Sequence, residues 1–272
     1  MNLLANEENQ ALKELVRGTR AFLLDLDGTV YIENELISDM KNTLERMRQA
    51  GKKLVYFTNN SSKTAAEYEE KLGRLGIYGE GDLVYTSGIA TAEYLLGAYA
   101  GKKVYLVGTD ALKEEFAAHG VRLSEEDADV AVLAYDTTLT FEKLVRINRM
   151  IAEGKPYIAT HPDAVCPAKG VFPPDVGSFI ELLKCSSGRY PDVICGKPYT
   201  IMGDCIKKRL GLPEREIAMA GDRPHTDIRF ARNNGFRSLL VLSGETDEKT
   251  ALSSPDKADA IAESLNDVVR WL

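Results

Sequence analysis

Seven short apolar runs recur along the chain, separated by stretches with helical spacing, and they constrain the fold more than any other feature. They are 21–26 (AFLLDL), 53–58 (KLVYFT), 103–108 (KVYLVG), 130–135 (VAVLAY), 157–160 (YIAT), 216–220 (EIAMA) and 238–242 (SLLVL). Most are continuously apolar, as strands buried on both faces should be. Strands that alternate with helices form a parallel sheet flanked by those helices, an α/β fold. In DMKNTLERMRQAG (39–51), Met40, Leu44 and Met47 recur three or four apart and the pattern stops at Gly51, which predicts a helix and its end. Thr64 and Glu67 have the spacing of a capping box and predict another helix start. Further helices are expected at about 140–153, 199–210 and 226–234, and a last one with Ser264 as N-cap and the only tryptophan, Trp271, on its apolar side. The stretch 161–178, with four prolines and two glycines, excludes a long helix and reads as a functional loop.

Composition narrows the function classes. With 272 residues, 44% hydrophobic and 28% charged, the chain has material for a sizeable core and is not disordered. A net charge of −7 and a pI near 5.2 argue against a nucleic-acid partner. No run approaches the roughly 18 apolar residues of a membrane span, and MNLLANEENQ lacks the regions of a signal peptide. No membrane partner is therefore expected, and the expected location is cytoplasmic. Cys166, Cys185, Cys195 and Cys205 form no CxxC pair, so they read as reduced, mostly buried thiols, with neither a disulfide framework nor a zinc ribbon.

Four segments carry candidate chemistry. The first strand runs into Asp25-Leu26-Asp27-Gly28-Thr29. Side-chain alternation points Asp25 and Asp27 the same way, beyond the carboxyl end of a strand, where open parallel sheets bind ligands. Two such anions need a cation, a shared proton or solvent; a solvated turn is the bland alternative. The second segment, Thr58-Asn59-Asn60-Ser61-Ser62, offers hydroxyls and backbone N–H groups to an anion, or simply caps a helix. In the third, Gly196-Lys197-Pro198 holds a lysine on a constrained turn. In the fourth, Gly221-Asp222 ends a strand and Asp227 follows at a helix start; Asp222 suits a hard cation, whereas Asp227 could merely favour the helix dipole. If these strands are neighbours, one sheet edge gathers aspartates, a hydroxyl and a lysine, the set that phosphoryl transfer demands.

In this order and context the segments resemble the four motifs of the haloacid dehalogenase superfamily, and LLDLDGTVY (23–31), FTNNSS (57–62), ATHPD (159–163), GKP (196–198) and GDRPHTDI (221–228) resemble its NagD-like, 4-nitrophenylphosphatase-like branch, subclass IIA. The resemblance implies a Rossmann-like parallel-sheet core, 1–85 and 190–272, with an inserted α/β cap domain of the C2 type at 86–189. It implies a phosphatase acting on small-molecule phosphate monoesters such as sugar phosphates, phosphoglycolate or 4-nitrophenyl phosphate. Asp25 is then the nucleophile that forms an aspartyl-phosphate, and Asp27 the acid and base, which must be kept protonated against its ordinary pKa near 3.9. Thr58, Asn59 and Lys197 bind phosphoryl oxygens. Mg²⁺ is held by Asp25, the backbone carbonyl of Asp27 and Asp222, with Asp227 in support. His161 and Asp163, in the cap loop, are expected to contact the substrate; the branch often has Asn where His161 stands. His225 departs from the usual apolar or aromatic residue of the fourth motif and reads as a surface or packing residue. Nothing aims Asp175 or Arg189 at the site.

A receiver-like signalling domain, phosphorylated on aspartate without turnover, is the competing reading, and a non-catalytic phospho-ligand binder a third. Asp27, two residues past the nucleophile, and the long interval before Lys197 favour the phosphatase. A homodimer stays open as the assembly, since neither the acidic surface nor the scattered aromatics mark an interface.

Overall fold

The computed structural model describes residues 9–166 and 172–272. The first eight residues, read above for a targeting signal, and 167–171 of the proline-rich stretch lie outside the described residues. The chain divides into two compact units.

The first unit comprises the chain up to Thr58, Tyr68–Tyr85 and Ile206–Leu272. Its six-stranded sheet runs in the order Ala260–Ala262, Arg237–Val241, Ile217–Gly221, Ala21–Leu24, Lys53–Thr58, Leu83–Thr86, and the pairings from the first of these through Lys53–Thr58 are parallel. Ala21–Leu24 lies near the middle and is buried at every position, as a strand with no polar alternation must be. Burying a side chain such as Phe22 contributes about 1.5–3 kcal/mol. The helix Met40–Gln49 buries Met40, Leu44 and Met47, the three residues whose spacing predicted it. Phe57 stacks on Tyr85 at 5.8 Å between ring centroids and meets Phe230 at 5.3 Å.

The second unit, Asn59–Glu67 and Thr86–Cys205, holds a five-stranded parallel sheet in the order Val193–Ile194, Tyr157–Ala159, Val130–Leu133, Lys103–Val107, Arg122–Leu123. Strand alternation sorts its apolar residues onto two faces. Tyr105, Val107, Ala131 and Leu133 pack with Ile147, Met150, Ile180 and Leu183, from the helices Phe141–Ala152 and Val176–Ser187. Val104, Leu106, Val130 and Val132 pack with Ala92, Leu95, Leu112 and Phe116, from Ser87–Ala98 and Asp110–Ala118. Helices on both faces are what continuous apolar runs require. The protein is thus an α/β fold with two separate parallel sheets.

Several expectations need correction. The first strand stops at Leu24, so Asp25 and Asp27 follow it, and alternation does not govern them: Asp25 is buried and Asp27 exposed. The helix expected at 226–234 is a π-helical turn, Pro224–Ile228, continued by Arg229–Asn233. The Asp227 carboxylate accepts the Arg223 N–H at 3.1 Å, which turns this aspartate back toward the start of the wide turn. The last helix is a 3₁₀ segment, Leu265–Trp271, although Ser264 and Asp267 do form a capping box. Only Cys195 among the four free thiols is buried, and Cys185 is exposed on its helix. Among the described residues no helix is long and apolar enough to cross a membrane.

Candidate active site

Sheet register assembles the acidic end of the first unit. Leu24 pairs with Ala220 on one side and Tyr56 on the other. Asp25, Thr58 and Asp222 therefore lie at or just past the carboxyl ends of three adjacent strands, the position where parallel sheets place ligands. The turn after the first strand is drawn tight: the Leu26 carbonyl accepts the N–H groups of Val30 at 2.9 Å and Thr29 at 3.2 Å, and Gly28 N–H reaches the Tyr31 carbonyl at 2.8 Å. Gly28 has φ +84°, and a Cβ there would strike the Asp222 carboxylate. Only glycine meets both demands.

Asp25, Asp222 and Asp227 are all buried and place carboxylate oxygens within 4.8 Å of one another. Asp222 Oδ2 accepts the Glu245 N–H at 2.7 Å, while its buried Oδ1 has no hydrogen-bond partner. Burial first, then the charges of Asp25 and Asp227, push the Asp222 carboxyl up to about 7, and the Glu245 N–H and Arg223 offset this only in part. Three buried carboxylates, with the Asp222 Oδ1 orphaned among them, fit a divalent cation, which takes hard oxygen ligands. The chain's own donors thus match a metal of that class.

Sequence reasoning missed three contributors here. Gly244 packs so closely that a Cβ on it would fall inside the Asp222 carboxylate, and Ser243 donates to the Gly28 carbonyl at 2.7 Å. Ser243-Gly244, just past the strand Arg237–Val241, repeats the small-residue pattern of a strand-end ligand loop and was the available signal. Tyr31 is the third. Its hydroxyl is buried without a hydrogen-bond partner, and its pKa is raised first by burial and then by the charges of Asp27, Tyr68 and Asp25.

In the second unit Asn59, Lys197, His161 and Asp163 come together. Asn59 Nδ2 donates to the Lys197 carbonyl at 3.0 Å and Asn59 Oδ1 accepts the Lys197 N–H at 2.8 Å. The same Nδ2 reaches both Asp163 oxygens at 3.1 and 3.3 Å. Lys197 is fully buried and precedes a cis proline. His161 is also fully buried, with Nδ1 3.6 Å from Asp163 Oδ2 and Nε2 3.5 Å from Asp175 Oδ1. Asp175, unassigned from sequence, caps the helix Val176–Ser187. His225 lies in the π-helical turn and is exposed.

A haloacid dehalogenase-like hydrolase family model matches residues 22–122, and a HAD-hydrolase-like model matches residues 194–268. The chain is 34% identical to an acid sugar phosphatase of Staphylococcus epidermidis over 83% of its own length and 87% of that protein. Among solved structures, a 4-nitrophenylphosphatase from Thermotoga maritima superposes with a TM-score of 0.90 at 39% identity, covering 94% of this chain and 98% of that one. A glycerol phosphate phosphatase from Mycobacterium tuberculosis, in complex with magnesium, gives a TM-score of 0.87 at 29% identity over 94% of this chain and 78% of that one. The acidic strand ends and these likenesses along nearly the whole sequence lead to one conclusion: the chain belongs to the haloacid dehalogenase-like hydrolases, in their NagD-like, 4-nitrophenylphosphatase-like branch.

Proposed function

We propose that this phosphatase hydrolyses small phosphate monoesters, of the sugar phosphate, phosphoglycolate or glycerol phosphate kind, through an aspartyl-phosphate on Asp25. The observation that carries the reading is the buried trio Asp25, Asp222 and Asp227 with its orphaned oxygen. Asp25, Asp222 and the backbone carbonyl of Asp27 hold Mg²⁺ in this reading, supported by Asp227. The bound cation neutralises the carboxylates and draws charge from the phosphoryl oxygens.

The residues then divide the work. An Asp25 oxygen attacks phosphorus in line; the bond to the leaving oxygen breaks, and Asp27 gives that oxygen its proton. Asp27, now a carboxylate, takes a proton from the water that attacks the aspartyl-phosphate, releasing inorganic phosphate and restoring Asp25. Exposure of Asp27 beside a buried Asp25 suits a group that must meet both leaving group and water. Thr58 and Lys197 bind phosphoryl oxygens, with Asn59 holding the Lys197 backbone. Residues 86–189 act as the cap that chooses among esters, because phosphate-binding groups alone read only what all esters share. Four free thiols suit a cytoplasmic setting.

Phosphate release from 4-nitrophenyl phosphate, sugar phosphates, phosphoglycolate and glycerol phosphate, with Mg²⁺ and with chelator, tests the reading. Turnover is expected with Mg²⁺ only, and Asp25→Asn is expected to lower kcat on the order of a thousandfold or more. Stable phosphorylation of Asp25 by a small phosphodonor without release from any ester would overturn it.

A further inference from the structure

We propose that Asp163 is a positioning residue for Lys197, acting through Asn59, and not a contact of the leaving group. The inference rests on the reading of Lys197 as a phosphoryl-binding group.

The argument begins with Asn59, which is 3% exposed. Its amide brackets both backbone groups of Lys197, donating to the carbonyl and accepting from the N–H. An amide has two ends of similar shape and opposite character. Reversed, Asn59 would set a carbonyl oxygen against the Lys197 carbonyl and an NH₂ against its N–H. Asp163 reinforces that choice and fixes the amide from its outer side. An ionised carboxylate only accepts, and both of its oxygens lie within 3.3 Å of Asn59 Nδ2, so the amide must point its nitrogen there. Charge assistance makes this a stronger tether than a neutral acceptor gives.

Asp163 is itself held on two sides. Its backbone carbonyl accepts Gly177 N–H at 2.8 Å. The ring of His161 fills the space between the Asp163 and Asp175 carboxylates, and Asp175 Oδ1 is anchored by the Val176 N–H at 2.6 Å. One residue earlier, Thr160 accepts the Gly196 N–H at 2.7 Å on its carbonyl and meets Ser61 through its hydroxyl at 2.9 Å. The segment 160–163 therefore grips the chain at Gly196 directly and at Lys197 through Asn59. On this inference, Asp163 acts on the phosphoryl group that all esters share.

The test combines backbone exchange with kinetics. In Asp163→Ala, hydrogen exchange at the Lys197 amide is expected to rise about tenfold or more, the equilibrium loss expected for a hydrogen bond to a charged group. Inhibition by inorganic phosphate is expected to weaken. kcat/KM is expected to fall by one common factor, roughly ten- to a hundredfold, for 4-nitrophenyl phosphate, a sugar phosphate and glycerol phosphate alike. Asp163→Asn keeps an acceptor oxygen and should return all readouts toward the native values. If Asp163→Ala does not fold, Asp163→Ser repeats the test with a shorter side chain. A Lys197 amide that exchanges as in the native protein overturns the proposal, and so does a changed ranking of esters, which would make Asp163 a leaving-group contact. Exchange is read without substrate. A native protein that hydrolyses no ester would thus refute the phosphatase reading, while the Lys197 amide would still decide the role of Asp163.

Discussion

Of the three clustered carboxylates, Asp222 is the one burial disfavours most clearly, and the sign of its effect on stability follows from its titration. Its carboxyl is pushed from 3.8 up to about 7, so between those pH values the metal-free native state binds more protons than the unfolded chain. Stability from this group is then full below pH 4 and is lost as pH rises toward 7, amounting to a few kcal/mol at most. The chelated protein should melt at a lower temperature at pH 8 than at pH 5, and a divalent cation should restore the loss at pH 8. Asp222→Asn removes one of three repelling charges while keeping an acceptor for the Glu245 N–H. Its metal-free melting temperature at pH 8 should exceed that of the native protein, and the cation should no longer raise it. A chelated variant no more stable than the chelated native protein at pH 8 would remove the charge-repulsion argument. Asp25 and Asp222 were legible in the sequence because each stands just past a strand end, whereas Asp227, read at a helix start, joined them only through the resemblance. Gly244 was not, because its contact with Asp222 exists only once the strands Ile217–Gly221 and Arg237–Val241 lie side by side.

At the scale of elements, the seven apolar runs all became strands, since a parallel sheet covered on both faces demands apolar residues at successive positions. What escaped were elements without that signature. The helix Ser87–Ala98 buries every residue from Ser87 to Ala92, so it has no polar face and no amphipathic period to read. Val193–Ile194 and Arg122–Leu123 are two-residue edge strands, too short for any pattern. The polar tie between Met40–Gln49 and the turn before Leu83–Thr86 was equally invisible. There Arg48 meets Asp82 at 2.6 Å, with Asp82 2% and Arg48 19% exposed, and Asp82 also accepts the Gly79 N–H at 3.0 Å. Arg48 also pairs with Glu45 at 3.4 Å and donates to the Ile77 carbonyl at 2.5 Å, so removing Asp82 costs the arginine its best acceptor and leaves it partnered. Asp82→Ala should therefore cost about 1–3 kcal/mol, the scale of losing hydrogen bonds to a charged group, read as a lower urea midpoint, with Asp82→Asn costing less because it keeps an acceptor oxygen. Equal losses in the two variants would mean the charge contributes nothing.

At the scale of the whole molecule, the long interval between Ser62 and Lys197 announced an inserted unit, but not that Asn59–Glu67 would cluster with it. That membership comes from contacts between residues far apart in sequence: Ser61 with Thr160 at 2.9 Å, the Tyr135 N–H on Ser61 at 2.9 Å and the Ala65 N–H on Glu115 at 2.8 Å. The division has a thermodynamic consequence, because the three clustered carboxylates proposed to hold the cation belong to the first unit alone. A ligand stabilises only the cooperative unit that binds it, by about 2.7 kcal/mol at a hundredfold excess over Kd. Trp271, the only tryptophan, also lies in the first unit, with the Lys13 ammonium 5.2 Å from its ring centroid, so its fluorescence reports the unfolding of that unit. Adding Mg²⁺ to the chelated protein should raise the fluorescence midpoint by roughly 5–10 °C. The part of the circular dichroism transition that belongs to the five-stranded sheet should stay in place. In Asp222→Asn both signals should ignore the cation. If Mg²⁺ instead moves fluorescence and circular dichroism together, the two sheets unfold as one cooperative system, and the contacts that bring 59–67 into the second unit would then couple its stability to a metal it does not bind.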